Sequence, residues 1–451
     1  MRPKHIFSIL FISACMTQMN AQTSNAPGNS SFTLQQAVDY AMKNSPNYLN
    51  AELDVENATY RRKELLGAGL PQLSASLDVK DYIEIPTSLI PAQFFGGPPG
   101  QFAAVKFGTK YNATGGGSIS QLIFSSDYIV GLKAAKEFIN LSRISVYRGK
   151  SELTASVAKA YYNVLVNKER IKLLDANIVR LKKLLDDTRA FNDQGFVEKI
   201  DVERLEVQYN NLLTEKEKTD RLIGLSETML KFQMGYKMSD AITLSDTLAI
   251  DDKEITNISG SKIDVTKRPD YQLLQSQQKL YKIDIKRQRL GYLPTIAAYG
   301  SYNYNAQRQQ FDFTDGSKSW YKIALIGGTI NLSLFDGLQR HNRIQQAKIA
   351  ALKGENNIKS VQMLADMEAS VSEISYTNAY STLLTQKKNM ELAQHVYDVA
   401  QKKYTQGVGS NIEVVTAETS LKEAQTNYYN AVYDMLVARI DYQKAAGTLV
   451  K

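Results

Sequence analysis

Few side chains in this sequence of 451 residues are placed to make or break covalent bonds. Of its three histidines, His5 falls in the amino-terminal segment, while His341 and His395 stand far apart on helix-like stretches. No cluster of thiols, imidazoles and carboxylates has metal-ligand spacing. Gly115-Gly116-Gly117 lies inside a strand-like alternation, so it reads as relief of crowding in a sheet rather than as a phosphate cradle. No dinucleotide fingerprint and no nucleophile elbow is present. The sequence therefore predicts no enzyme, no metal and no cofactor, and any energy must come from a partner. What remains is a pair of carboxylates beside two turns. Asp201 follows Gly195, with Lys199 close by, and Glu413 follows Gly407. Each acid opens a helix, where the helix dipole favours negative charge, and each glycine suits the left-handed backbone that ends the preceding helix.

The elements that carry these turns are long. All ten prolines lie at or before Pro99, or at Pro269 and Pro294, so the stretches 100–268 and 295–451 are free of them. Val157, Val164, Ile171, Ile178 and Leu185 recur every seven residues, with Leu174 and Leu181 at the complementary position, which is a coiled-coil seam. Long helices are expected at about 128–193 and 339–406, each roughly 100 Å at 1.5 Å per residue. Shorter helices fit Leu34 to Leu66, Ile200 to Gly235, Tyr271 to Gly291 and Ile412 to Ala446. Strand-like alternation runs from Leu73 to Val79, Val105 to Ala113, Ile296 to Tyr304 and Ala324 to Leu334. These segments predict two hairpins, at about 71–124 and 294–336.

The halves match. Gly67-Ala68-Gly69-Leu70-Pro71 parallels Leu290-Gly291-Tyr292-Leu293-Pro294, Gly116–Asp127 parallels Gly327–Gly337, and Asn192–Glu206 parallels Tyr404–Glu418. One unit of helix, hairpin, long helix, turn and helix is written twice. The first copy spans 32–235 and the second 269–447, with a linker at 236–268. The start, residues 1–21, has basic Arg2 and Lys4 and a short apolar run, and reads as an export signal. Cleavage after Ala21 is favoured; the alternative is a lipoprotein signal ending before Cys15, the only cysteine, which would then carry lipid. Hydrophobic residues at 43% imply a folded chain, and the +8 net charge is scattered among acids along helices, which excludes a nucleic-acid reader. No later stretch is apolar enough for a membrane helix.

Four strands leave two open edges, and membrane barrels begin at eight strands, so closure requires further copies; three copies would give twelve strands. Tyr82, Phe94, Phe95, Phe102, Phe107 and Tyr111, then Tyr302, Tyr304, Phe311, Phe313, Trp320 and Tyr321, would supply interfacial aromatic girdles. With its paired Leu-Pro helix ends, Leu334-Phe335-Asp336-Gly337 followed by Arg340, and Tyr404, Gly407 and Glu413-Val414, the sequence resembles the TolC-type outer-membrane factor family from about Phe32 to Gly447. That resemblance implies an α+β membrane protein in the bacterial outer membrane: a homotrimer whose twelve-stranded barrel, set in outer-membrane lipid, continues as an α-helical barrel into the periplasm. It implies docking with a periplasmic adaptor and an inner-membrane transporter, and passive export of drugs, small molecules or proteins. It also implies that Asp201 and Glu413 ring the periplasmic opening and that Tyr404 helps hold it closed. Gly409 stands where the family has an arginine and Thr416 where it has a second acid, which leaves Lys199 as a basic partner from the other turn. Two other readings remain open: a periplasmic adaptor-like coiled-coil protein and a filament-forming structural protein.

Overall fold

A computed structural model of the chain describes residues 30–248 and 264–450. The export segment with Cys15, and residues 249–263 of the expected linker, lie outside the described residues. The first half runs β1 (Ser30–Phe32), α1 (Leu34–Asn44), α2 (Pro46–Gly67), β2 (Gln72–Asp81), β3 (Thr87–Pro91), β4 (Phe102–Lys106), β5 (Tyr111–Phe124), α3 (Ser126–Asp193) and α4 (Lys199–Met234). After β6 (Ile242–Leu244) the second half runs α5 (Pro269–Leu290), β7 (Thr295–Arg308), β8 (Tyr321–Asn331), α6 (Gln339–Thr405) and α7 (Asn411–Ala445). The duplication is visible in lengths: α2 and α5 have 22 residues each, α3 and α6 have 68 and 67, and α4 and α7 have 36 and 35.

Three sequence expectations are corrected. The helix expected from Leu34 to Leu66 breaks at Ser45, which takes an extended backbone because Pro46 follows it. The alternation expected from Val105 to Ala113 is interrupted at Gly108, whose φ is 134°. Residues before that break pair in a separate two-stranded sheet, β3 with β4, and β5 then runs straight through the triple glycine. The last strand stops at Asn331 rather than Leu334. Residues beyond it turn into α6 through Gly337 and Leu338, both left-handed, while Asp336 accepts the Arg340 backbone N–H at 3.1 Å. Within the linker, β6 pairs in parallel with β1.

The main sheet has the order β2-β5-β7-β8 and is antiparallel throughout. Its register sorts the residues onto two faces. One carries Leu73, Leu77 and Val79 of β2, Ile119 of β5, Tyr302 and Tyr304 of β7, and Ile326 and Ile330 of β8. The other carries Ser74 and Ser76, Thr114 and Ser118, and Asn303 and Asn305. Polar pairs bridge the strands on this second face: Ser74 and Ser118 hydroxyls lie 2.7 Å apart, and Asn305 Nδ2 donates to Thr114 Oγ1 at 2.8 Å. Tyr299 of β7 and Tyr321, Ile323 and Leu325 of β8 depart from the pattern on the polar side, and Lys322 of β8 departs from it on the apolar side. Tyr302 and Tyr304 stand opposite Gly117 and Gly115, so the rings cover positions that lack side chains.

Of the aromatics expected to form girdles, Tyr111, Phe311, Phe313 and Trp320 make a chain of ring contacts at one end of the sheet, with centroids 5.4–6.1 Å apart. Away from the sheet, α3 packs on α4 and α6 on α7, and α3 also packs on α7, joining the two copies. No helix among the described residues is long and apolar enough to cross a membrane.

Candidate functional site

The two long helices end in matching turns. Gly195 and Gly407 take φ values of 77° and 74°, as a left-handed helix stop requires. Phe196 N–H donates to the Phe191 carbonyl at 2.9 Å, and Val408 N–H to the Lys403 carbonyl at 3.0 Å. Phe196 and Val408 themselves face solvent. The turns lie side by side. Asn411 Nδ2, at the start of α7, donates to the Asp201 carbonyl at 3.2 Å, and the hydroxyls of Thr188 and Tyr404 are 3.2 Å apart.

The sequence-marked residues are thus brought together, but they are not equivalent. Asp201 is half-buried and pairs at 3.3 Å with Arg204, one turn along its own helix. Glu413 is exposed, and its backbone N–H is capped by Ser410 Oγ at 3.4 Å. Lys199 pairs with Glu203 at 3.4 Å on α4, so within the protomer it does not make the expected link to the opposite turn. Its helix offers a carboxylate one turn away, which an exposed lysine reaches more easily than another hairpin. Gly409 is required for space: a Cβ there would come within 2.8 Å of Lys403 Cβ and 3.0 Å of the Tyr404 nitrogen. A groove of about 550 Å³ opens beside Glu413 between α6 and α7, lined by His395, Val399, Lys403 and Ile412 among others. His341 and His395 sit near opposite ends of α6, and no metal-binding cluster occurs among the described residues.

Above the turns, Leu181, Leu184 and Leu185 of α3 pack with Leu205 and Leu212 of α4 and with Tyr397, Val414 and Leu421 of α6 and α7. Polar side chains that sequence reasoning passed over are buried in this region. Asn177, Glu418 and Gln425 are each at most 5% exposed. Asn177 Nδ2 donates to Gln425 Oε1 at 2.7 Å. Arg180 donates to Asn177 Oδ1 and, at 3.3 Å, to Gln394 Oε1, and its guanidinium lies 5.3 Å from the centre of the Tyr397 ring. Burial pushes the Glu418 carboxyl above its usual range, with Arg180 and Lys422 pulling it back. Burial, and then Glu418, push the Tyr397 hydroxyl up to about 12. A signal existed: Glu418 and Gln425 share a helical face with Val414 and Leu421, so two polar residues interrupt an apolar stripe.

Residues 266–448 match the family model described as outer membrane efflux protein. The outer membrane protein TolC of Vibrio cholerae is 22% identical over 342 residues, covering 74% of this chain and 76% of that protein. Among solved structures, the CusC channel superposes with a TM-score of 0.72 at 14% identity, covering 94% of this chain and 95% of that one. The Campylobacter jejuni CmeC outer membrane channel gives 0.69 at 15% identity, covering 95% and 90%.

Proposed function

We propose that the chain, whose residues 266–448 match the outer membrane efflux protein model, is a TolC-type outer-membrane channel subunit of a tripartite export system, a passive duct rather than an enzyme. The observation that carries this reading is the four-stranded sheet with one apolar face, one polar face and two unpaired edges, β2 and β8. Such a sheet is stable in a bilayer only when its edges are paired, so β8 of one protomer meets β2 of the next. Three protomers close twelve strands. Strands of 10–14 residues suit a tilted membrane wall.

The helices call for the same closure. Leu222, Leu225, Met229 and Phe232 leave an apolar stripe on α4, and Met363, Met367, Val371 and Ile374 leave another on α6. In a ring, one protomer's α4 stripe covers the next protomer's α6 stripe. The tip would then carry Asp201, Glu413, Tyr404 and Lys199 around a narrow periplasmic opening, with Gly195 and Gly407 shaping the turns that meet a periplasmic adaptor and an inner-membrane transporter. Cargo is small molecules, drugs or proteins driven by that transporter. An adaptor or a filament subunit has no use for a sheet with a continuous apolar face joined to two duplicated helical hairpins.

The test is to extract the full chain from membranes, weigh the complex and record it in a planar bilayer. A trimer that conducts is expected. A monomer without conductance, or a soluble filament, overturns the reading.

A further inference from the structure

The buried polar layer between the two helical hairpins lies roughly 10–25 Å above the turns, at 1.5 Å per residue. The channel reading does not account for it. Neither oxygen of Glu418 has a hydrogen-bond partner, nor does the Tyr397 hydroxyl or Arg180 Nε. Arg180 is instead committed to Asn177 and Gln394 and to the Tyr397 ring, while Asn177 holds Gln425. These contacts tie α3 of the first copy to α6 and α7 of the second. The turns below are tied more lightly, through the Tyr404–Thr188 hydroxyls and Asn411 to the Asp201 carbonyl, and Gly409 leaves no side chain there to add a charge.

We infer that this layer is the clamp that holds the α6–α7 hairpin against α3, and so the tip closed, with the proton on Glu418 deciding whether it holds. An ionised carboxylate without partners is disfavoured in such a place, and it is relieved either by taking a proton or by letting water in as the hairpins part. The charged and titratable groups around it are Arg180 of α3, Tyr397 of α6 and Lys422 of α7 itself; α4 brings Leu205, Leu212 and the half-buried Tyr209 to the same core. Burial raises the carboxyl in the closed seam, and in a parted, wet seam it returns to the ordinary carboxylate range. The closed state therefore binds the proton more tightly. Closure is fully supported below the ordinary carboxylate value and is lost as pH rises through the raised one, by up to about tenfold in the closed-to-open ratio per pH unit.

This inference rests on the channel reading, and its test separates the two. Conductance of the full-length protein in planar bilayers is recorded from about pH 4.5 to 8. The parent is expected to rise severalfold with pH. Glu418→Gln, of the same shape and always neutral, is expected to stay at the low-pH level throughout. Arg180→Met, which releases Gln394 and Asn177, is expected to raise the low-pH conductance severalfold. A Glu418→Gln profile that follows the parent's overturns the inference, because the tip acids Asp201 and Glu413 are intact in that variant. Arg180→Met with unchanged low-pH conductance overturns it too. On the unmodified protein, hydrogen exchange over 411–425, corrected for its intrinsic pH dependence, should rise with pH relative to α1; a constant ratio counts against the clamp. Conductance in no form fails the channel reading, and identical profiles in a conducting channel fail the clamp alone.

Discussion

Asp201 and Glu413 occupy corresponding first-turn positions, yet their surroundings differ in a way that decides how much each can do. Arg204 beside Asp201 offsets part of its charge, whereas the Glu413 carboxylate is exposed and has no ion-pair partner among the described residues. A ring of carboxylates attracts cations in proportion to its unneutralised charge. Asp201→Asn with Glu413→Gln is therefore expected to weaken cation preference, and Glu413→Gln alone should account for most of the loss, as read from reversal potentials in a salt gradient. Selectivity that does not change in the double variant would remove both acids from the pore lining. A second residue acts on stability alone. The buried Tyr161 hydroxyl lies 2.8 Å from the Phe32 carbonyl and 2.9 Å from the Asp246 carboxylate, which also accepts the Leu34 backbone N–H. Tyr161→Phe should cost about 1–3 kcal/mol, seen as earlier thermal unfolding with little change in conductance.

At the scale of the element, the turns show what a duplicated sequence can and cannot reveal. Gly195 and Gly407 were legible because a left-handed helix stop has a residue preference, and the seam of α3 was legible because heptad spacing follows directly from helix geometry. Gly409 was legible only as a departure. The reason for it is a tight turn in which its N–H and that of Val408 both donate to the Lys403 carbonyl. Gly409→Arg is accordingly expected to push the turn open rather than add a closing ion pair, raising conductance; a decrease would show that the arginine is accommodated. The break at Ser45 could have been read from Pro46, but helical periodicity on both sides masked it. The polar layer at Glu418 was hidden for another reason. A glutamate within an α-helix reads as solvent-facing until the packing of three other helices against it is known.

The whole molecule is organised by one fact that no single element contains: the two faces of the sheet are sorted by register across β2, β5 and β7, strands from both copies, with β8 carrying apolar residues on both sides. Alternation along one strand tells that two faces exist, and the pairing of Leu73 with Ile119, Gly300 and Ile326 tells that the apolar sets coincide. If the ring closes as proposed, that coincidence extends around a barrel, and the side on which a charge is placed then matters more than its position along the chain. Leu77 and Ser76 are neighbours in the middle of β2 and point to opposite faces, opposite Gly115 and Gly116. Leu77→Lys puts an ammonium into lipid, at about 2–4 kcal/mol near the midplane for each protomer. That repeated cost should sharply reduce assembled trimer in the membrane fraction. Ser76→Lys puts the same charge into the aqueous lumen. It should assemble normally, lower the conductance and shift selectivity toward anions. If Ser76→Lys instead blocked assembly and Leu77→Lys were tolerated, the faces would be inverted. The apolar residues of β2, β5, β7 and β8 would then line the duct, and the polar ladders of serine and asparagine would have to meet hydrocarbon.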